Sequence, residues 1–505
     1  MRFVALLVLC FVLFLPGLNA QVNGQLQTID GKLVLHVWGD HYERGYAQGY
    51  MFSNRILTLF NDYFYASVCG NNPMVYNYLL SYYNNCFTVE PKFVLEITGM
   101  LEGIAASGQS LYHSGLQRNL GISDLLMINA IVDLNPVRSE YLGRNEHELG
   151  CSSISSWGAA TTNDPHLSGN LIFTRFMDWA NHSALIANPA LIVHHPSDPL
   201  EQKWASFFYP GMIGALSGIS DSRSAAFLNM GNTHGGDNFT NLRHVLFSIR
   251  EALETYDFNG DGQHNLGDFN AALSTYRFRA GTIIHTMLDD DAGIEPAVFE
   301  CNNFGSVMRT QSQNGSLPQD HIAATNHFRL LFEPVYCYRY TNIFNALTAN
   351  PHMSLNSQWQ MLSAAAGVPA NLMAIQYIPS LEQISWSTAS SISPAYQNPP
   401  MTLSTSSLFA FNPTQISDPL IPVVSKMSFY PNPLKKGQSL RIKSAQTLSA
   451  ICIYNLRGQK LAQRDINPEN HELFLDNELK CSGIYLIKAI DIHGRTTTAK
   501  LLWTN

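Results

Sequence analysis

The sequence predicts an α+β fold of layered sheets covered by helices, followed by a small all-β module. Three observations predict it. Residues 21–150 hold helix-like stretches rich in Tyr, Leu and Met after one short strand-like run. From Cys151 the texture changes to short strands of small and β-branched residues, punctuated by Gly, Asn, Asp and Pro clusters, with helical stretches returning later. The last part, Met427–Asn505, reads as a small all-β module with denser Lys and Arg.

Lys32–Val37 is the first strand-like run. Gly39-Asp40-His41-Tyr42-Glu43-Arg44-Gly45 then turns into a helix, with Asp40 the N-cap candidate. Helices are expected over Tyr42–Tyr65, Pro91–Ser107 and Ser123–Leu134. Strands are expected over Ser152–Ala160, Leu171–Phe176, Ala190–His194, Trp204–Tyr209 and Ala225–Asn229. Two longer helices follow, Asn241–Tyr256 and Leu266–Phe278. Residues from about 380 to 426 are rich in Ser, Thr, Pro and Asn, and 406–426 is expected to be a linker. The C-terminal strands are Ser439–Ile442, Ala450–Asn455, Gly483–Ala489 and Thr496–Trp503.

With 505 residues, 46% of them hydrophobic, the chain has material for a large core. Charged residues are 13%, about half the roughly 25% of ordinary soluble domains, a surface that suits an extracellular protein. The net charge of −8 with no basic stripe argues against nucleic acid as a partner. The first twenty residues read as a signal peptide: Arg2, the apolar run Val4–Leu15, a break at Pro16-Gly17 and small Ala20. No later stretch is apolar for long enough to span a bilayer, so no transmembrane segment is expected in the mature protein.

Eight cysteines are present, and Cys10 falls in the signal peptide. Seven remain, an odd number that points to one free thiol. Three near-neighbour pairs are expected, Cys69–Cys86, Cys301–Cys337 and Cys452–Cys481, although sequence does not fix connectivity. They leave Cys151 alone.

Cys151 opens the run Gly150-Cys151-Ser152-Ser153-Ile154-Ser155-Ser156-Trp157-Gly158, and Arg175-Phe176-Met177-Asp178-Trp179 follows. Each motif by itself fits a small buried residue on a strand and a surface ion pair. Together they resemble the cysteine N-terminal-nucleophile hydrolases of the penicillin acyltransferase type, relatives of bile-salt hydrolase, penicillin V acylase and acid ceramidase. The resemblance extends to Thr325-Asn326-His327-Phe328 and to Gly39–Gly49, and covers roughly residues 31–345. It implies a four-layer αββα sandwich, a propeptide or α chain over 21–150 and a catalytic domain over 151–405. It also implies self-cleavage between Gly150 and Cys151.

The chemistry can be derived beside the resemblance. A thiol with a pKa of about 8.5 needs a base or a positive field to ionise at neutral pH. Once Cys151 is N-terminal, its α-amine, with a pKa of about 7.7–8.0, can take the proton. Arg175 would favour the thiolate, and Asp178 would accept a hydrogen bond from the amine. Asn326 would donate to the oxyanion, with Asn229 a second candidate by resemblance. Arg339 matches a further family arginine only poorly. Before cleavage, Cys151 would attack the Gly150 carbonyl, and an N-to-S shift with hydrolysis would release the new terminus. The gap from Cys151 to Arg175 is longer than the family's.

Asp257-Phe258-Asn259-Gly260-Asp261-Gly262-Gln263-His264-Asn265-Leu266-Gly267-Asp268 fits an EF-hand-type loop. Asp257, Asn259, Asp261, Gln263 and Asp268 are the expected ligands of a structural Ca2+. No cofactor is expected for catalysis.

Phe429-Tyr430-Pro431-Asn432-Pro433, Ile453-Tyr454-Asn455-Leu456-Arg457-Gly458 and Ser482-Gly483-Ile484-Tyr485-Leu486 to Trp503 resemble the type A sorting domain of type IX secretion in Bacteroidota-like bacteria. This implies a secreted or surface-attached protein that engages that secretion machinery. The leading expectation is a self-processing amidohydrolase or acyltransferase acting on a small-molecule non-peptide amide, with its α and β chains associated after cleavage. A phospholipase B-like acyl hydrolase and a non-catalytic calcium-binding surface protein are the alternatives.

Overall fold

The computed structural model describes residues 22–143, 150–231, 240–290, 293–313 and 317–411, and residues 428–504 apart from short gaps. The expected signal peptide, Cys10 and most of the expected linker lie outside these residues. The chain divides into two compact units, residues 22–416 and a unit containing 417–505.

The first unit opens with the hairpin β1 (Gly24–Ile29) and β2 (Lys32–Gly39). Asp40 caps α1 (His41–Thr58) as expected: its side chain accepts from Glu43 N, and Glu43 Oε2 accepts from Asp40 N, both at 2.9 Å. The helix continues as a π-helix, Leu59–Val68, then α2 (Pro73–Cys86) and α3 (Pro91–Ala106). A two-residue hairpin, β3 (Tyr112–His113) and β4 (Arg118–Asn119), precedes α4 (Ile122–Asn129) and α5 (Ile131–Leu142). Helices α1 and α3 meet through glycines. A Cβ on Gly45 would lie 1.9 Å from Glu96 O, and one on Gly99 would lie 2.1 Å from Tyr42 O. Only glycine allows this backbone approach, which brings His41 and Arg44 beside Glu96.

The strands follow: β5 (Gly150–Ser156), β6 (Ile172–Asp178), the short α6 (Ser183–Ala187), β7 (Ala190–Pro196), β8 (Trp204–Phe208), β9 (Ser217–Ser220) and β10 (Ala225–Met230). Helices α7 (Val245–Glu254) and α8 (Leu266–Ser274) precede β11 (Thr282–Asp290), β12 (Gly293–Cys301), β13 (Ser306–Arg309) and β14 (His321–Ala324). Then come α9 (Tyr338–Ala349), α10 (Ser357–Ala366), β15 (Asn371–Ile378), β16 (Gln383–Thr388), β17 (Met401–Ser404) and α11 (Thr405–Phe409). Helix α11 replaces the start of the expected linker, because Leu408 and Phe409 are buried in the core.

Two sheets result. One has nine strands in the order β1-β2-β7-β8-β9-β10-β11-β12-β13, the other six in the order β14-β5-β6-β15-β16-β17. Their facing sides share a core: Val34, Leu191 and Phe207 of the first meet Phe173, Ile375 and Trp386 of the second. The outer face of the first carries Leu35 and Val37 against the helices α1 to α5 and α7. The outer face of the second carries Ile154, Phe176 and Ala374 against α9 and α10. Alternation sets the sides. On β6, Phe173 points inward and Phe176 outward, while Thr174 bonds the α10 residue Gln358 at 2.6 Å. The layers are therefore α, β, β, α.

The C-terminal unit is all β. Strands β18 (Ser428–Tyr430), β20 (Leu440–Lys443) and β23 (Glu472–Leu473) form one sheet. Strands β19 (Leu434–Lys435), β21 (Leu448–Asn455), β22 (Lys460–Asp465), β24 (Gly483–Asp491) and β25 (Thr496–Thr504) form the other. Leu434, Ile451, Ile487 and Trp503 fill its core.

The expected disulfides are corrected. Cys69, Cys86, Cys301, Cys337, Cys452 and Cys481 are free thiols, as is Cys151. Nearness in sequence misled: Cys301 ends a buried strand, whereas Cys337 caps α9 and contacts Thr325 Oγ1 at 3.4 Å. Burial pushes the Cys69 thiol up to about 12.

Candidate active site

Cys151 sits second on β5, at the head of an inner strand of the six-stranded sheet. It pairs with Met177 of β6, and Ser153 pairs with Arg175. The long gap between the motifs is thus absorbed by residues 157–171, tied down where Asp320 Oδ2 accepts Ala159 N at 2.7 Å. Ser153 and Ser155 bond the two ring nitrogens of His285 on the facing sheet, both at 2.9 Å. The odd-numbered residues of β5 therefore point between the sheets.

Cys151 is 2% exposed. Arg175 Nη2 donates to its Sγ at 3.3 Å. The same guanidinium donates to Leu228 O at 2.6 Å and Ser217 Oγ at 2.9 Å, so it is held from the facing sheet. Burial lowers the Arg175 pKa, and the neighbouring Cys151 and Asp178 work the other way. This is a fully buried cation aimed at a thiol.

The peptide N–H of Cys151 donates to Asn326 Oδ1 at 3.2 Å. Asn326 Nδ2 donates to Met230 O at 2.7 Å, which fixes the amide's orientation. In the continuous chain Asn326 receives the Cys151 nitrogen. Asp178 is occupied elsewhere: Oδ2 pairs with Arg339 Nη1 at 2.7 Å, and Oδ1 accepts from Asn371 Nδ2 at 2.9 Å. Burial pushes the Asp178 carboxyl up to about 6, against the pull of Arg339, Asn371 and Arg175. Asn229 Nδ2 donates to Ser153 Oγ at 2.9 Å, one residue pair along the strand from Cys151.

Arg339 is the residue that sequence comparison undervalued. Its Nη1 also lies 3.3 Å from Asn326 Oδ1, and a Cβ on Gly150 would stand 2.5 Å from that nitrogen. A side chain at position 150 would have to displace this guanidinium. Between Asn326 and Arg339 the chain is anchored by buried Glu300, which accepts the backbone N–H of Arg329, Leu330 and Leu331 at 2.8 to 2.9 Å. Asn371, at the start of β15, carried no motif that would have marked it.

The calcium loop has the required backbone, with Gly260 and Gly262 at φ of 79° and 84°. Asp257 gathers the N–H groups of Gly260, Asp261 and Gly262 at 2.7 to 3.0 Å. Asp268, however, is buried and turned to the backbone, accepting from Phe258, Asn259 and Asn265. Gln263 N donates to Asp261 Oδ1 at 2.8 Å. Asn259, Asp261 and Gln263 are exposed and Asp257 is half-buried, whereas the carboxylate at the twelfth position is already satisfied by the backbone.

Residues 428–503 match the family described as Secretion system C-terminal sorting domain. The chain aligns at 23% identity over 232 residues with Protein dcd1B of Dictyostelium discoideum, covering 44% of this chain and 43% of that protein. The chain thus spans under half the length of this relative. Among solved structures, an N-acylethanolamine-hydrolyzing acid amidase ortholog of Caenorhabditis elegans has 16% identity and a TM-score of 0.32, covering 46% of this chain and 94% of that one. Conjugated bile acid hydrolase of Clostridium perfringens has 10% identity and a TM-score of 0.32, covering 52% and 94%. Penicillin V acylase of Agrobacterium tumefaciens has 12% identity and a TM-score of 0.30, covering 47% and 83%. Among the described residues no helix is long and apolar enough to cross a membrane. The main unit is thus a four-layer αββα sandwich with Gly150-Cys151 on an inner strand, and residues 428–503 match a secretion-system sorting domain, which assigns the chain to the secreted or cell-surface compartment.

Proposed function

We propose that this chain is a self-cleaving amidohydrolase or acyltransferase whose nucleophile is the thiol of Cys151. The observation that carries the reading is the buried thiol held between Arg175 Nη2 at 3.3 Å and, through its own nitrogen, Asn326 Oδ1 at 3.2 Å.

Cleavage begins when Cys151 Sγ attacks the Gly150 carbonyl carbon. The Gly150–Cys151 amide becomes a thioester and the nitrogen a free amine. Water then hydrolyses the thioester, leaving a Gly150 carboxylate and N-terminal Cys151. In turnover the α-amine takes the thiol proton, Sγ attacks a substrate amide, and the amine protonates the leaving nitrogen. Arg175 stabilises the thiolate, and Asn326 Oδ1 orients the amine. The Asp178–Arg339 pair holds Asn326 from the other side. Water or an acceptor amine completes the cycle.

The name of the nematode amidase describes hydrolysis of N-acylethanolamines, and that of the bacterial acylase describes penicillin V. Such small-molecule amides are the substrate class proposed here. Calcium at Asp257, Asn259, Asp261 and Gln263 would stabilise the turn before α8 and enters no catalytic step. The reading is tested with a panel of acyl amides and esters, including phospholipids, on wild type and Cys151→Ala. Amide turnover that disappears in the variant is expected. Turnover by Cys151→Ala, or hydrolysis of phospholipid esters alone, would contradict it.

A further inference from the structure

The layer between the two sheets is largely apolar, with Phe173, Phe227 and Ile375 in its core. Buried polar side chains interrupt it near Cys151. Among them is His285 of β11, which is fully buried and has no part in the chemistry above. Its Nδ1 meets Ser153 Oγ and its Nε2 meets Ser155 Oγ, both at 2.9 Å. Phe173 packs edge-on to the ring at 4.9 Å. Burial pushes the His285 pKa down to about 3, so the imidazole is neutral. One ring nitrogen is then a donor and the other an acceptor.

Counting protons assigns them. Ser153 Oγ accepts from Asn229 Nδ2 at 2.9 Å. Its own proton goes to His285 Nδ1, its other partner among the described residues. His285 therefore carries its proton on Nε2 and donates to Ser155 Oγ. Asn229 lies between Leu228 and Met230, whose carbonyls accept from Arg175 Nη2 at 2.6 Å and Asn326 Nδ2 at 2.7 Å. Those are the two side chains that touch Cys151, at Sγ and at N. Asn229 Oδ1 is buried and has no hydrogen-bond partner among the described residues. If His285 did not take the Ser153 proton, that oxygen would compete for it, and the carboxamide would turn over.

We propose that His285 is a positioning residue for the reaction at Cys151: by accepting the Ser153 proton it holds the Asn229 carboxamide in one orientation within the layer that contains the nucleophile. The inference rests on the amidohydrolase reading and adds a residue to it. His285 acts only through Ser153 and Asn229, so its loss should slow acyl transfer without changing the reactivity of the thiol, which Arg175 governs.

The test compares His285→Asn, whose amide takes the place of Nδ1 and reaches Ser153, with His285→Gln, whose amide takes the place of Nε2 and reaches Ser155. Hexanoyl p-nitroanilide is the probe, kcat is referred to the cleaved fraction on a denaturing gel, and melting curves report folding. His285→Gln should lower kcat about tenfold with KM nearly unchanged, whereas His285→Asn should keep most of the wild-type value. Alkylation of Cys151 by iodoacetamide should run at the wild-type rate in both. In an Asn229→Ala background, His285→Gln should cause little further loss. Ser155→Ala, a smaller change that carries the test if a His285 variant fails to fold, should lower kcat about threefold by releasing Nε2. Equal kcat in His285→Asn and His285→Gln, or a loss that adds in full to that of Asn229→Ala, would overturn the proposal. So would wild-type kcat in Ser155→Ala where the His285 variants do not fold. A cleaved wild type that turns over no anilide would instead overturn the amidohydrolase reading itself, and this role with it.

Discussion

Two buried charge clusters lie in the main unit, and they are balanced differently. The first joins α1, α3, α7 and the connection after β7. His41, Arg44, Lys92, Arg243 and Arg250 face Glu90, Glu96, Glu201, Glu251 and Glu254, five cations against five carboxylates once His41 is protonated. Both His41 nitrogens reach carboxylates, Glu96 at 2.7 Å and Glu201 at 2.9 Å, contacts that favour the imidazolium. The second cluster holds Arg175 and Arg339 against the single carboxylate of Asp178, with the Cys151 thiol in the remaining place. A balanced cluster joins segments. A cluster with one surplus positive charge is prepared for an anion that chemistry creates. The first cluster also spans the proposed cleavage point, since His41, Arg44, Glu90, Lys92 and Glu96 precede it and the other members follow it.

The largest expected effect on catalysis is on the unbalanced side. Arg175→Met removes the cation beside Sγ and should slow self-cleavage and turnover roughly a hundredfold or more, about 3 kcal/mol of transition-state stabilisation. Time courses on gels, with melting curves to confirm folding, check it. Wild-type rates would break the comparison.

On the balanced side, Arg250→Met leaves Glu96 and Glu254 without their shared partner. Loss of one member of a buried pair costs about 3–5 kcal/mol, so urea unfolding should shift strongly. Glu96→Gln in the same background should recover part of the loss, because it removes the stranded charge. Alkylation of Cys151 by iodoacetamide in the surviving folded fraction should stay at the wild-type rate.

Both clusters carry a group whose pKa is raised. Asp178 ionises at about 6, so its pair with Arg339 forms as pH rises through that value. Self-cleavage should rise across the same window and lose that inflection in Asp178→Asn. In stability terms this raised carboxyl contributes fully below its ordinary 3.8, and the contribution is lost as pH rises through about 6. His41 is also raised: burial opposes its charge, but the hydrogen bonds to Glu201 and Glu96 prevail. Its contribution is full below the ordinary 6.5 and is lost as pH climbs past the raised value. The cleaved chains should therefore separate more readily at alkaline pH, as size-exclusion chromatography in mild denaturant can measure.

A smaller effect is expected at Gly150→Ala, where the new methyl must displace the Arg339 guanidinium. Self-cleavage should slow by about 1–3 kcal/mol, read from gel kinetics.

Much of the fold was legible because it rests on period and punctuation. Asp40 and Glu43 form the expected capping box, and β5, β6, β7, β8 and β10 lie where alternating small and β-branched residues placed them. The sequence also pointed to Cys151 with Arg175, since strand pairing brings them together across the long connection. The partners of Asp178 were not legible. Arg339 and Asn371 come from a helix and a strand far along the chain, and only the sandwich brings them to one carboxylate. Cysteine proximity failed for the same reason, because neighbours in sequence such as Cys301 and Cys337 belong to different layers. The five-by-five charge cluster was invisible because its members come from segments far apart in the chain, of which α1 and α3 are brought together by their glycine contact.

The central claim is that the surplus charge beside Cys151 serves a nucleophile that frees its own amine. Intact mass spectrometry of the secreted protein after iodoacetamide treatment tests this most directly. The account predicts a chain beginning at Cys151 whose N-terminal residue is alkylated on peptide mapping, with a separate N-terminal chain ending at Gly150, and a single uncut chain for Cys151→Ala. An uncut wild-type chain, or a cut that persists in Cys151→Ala, would contradict it.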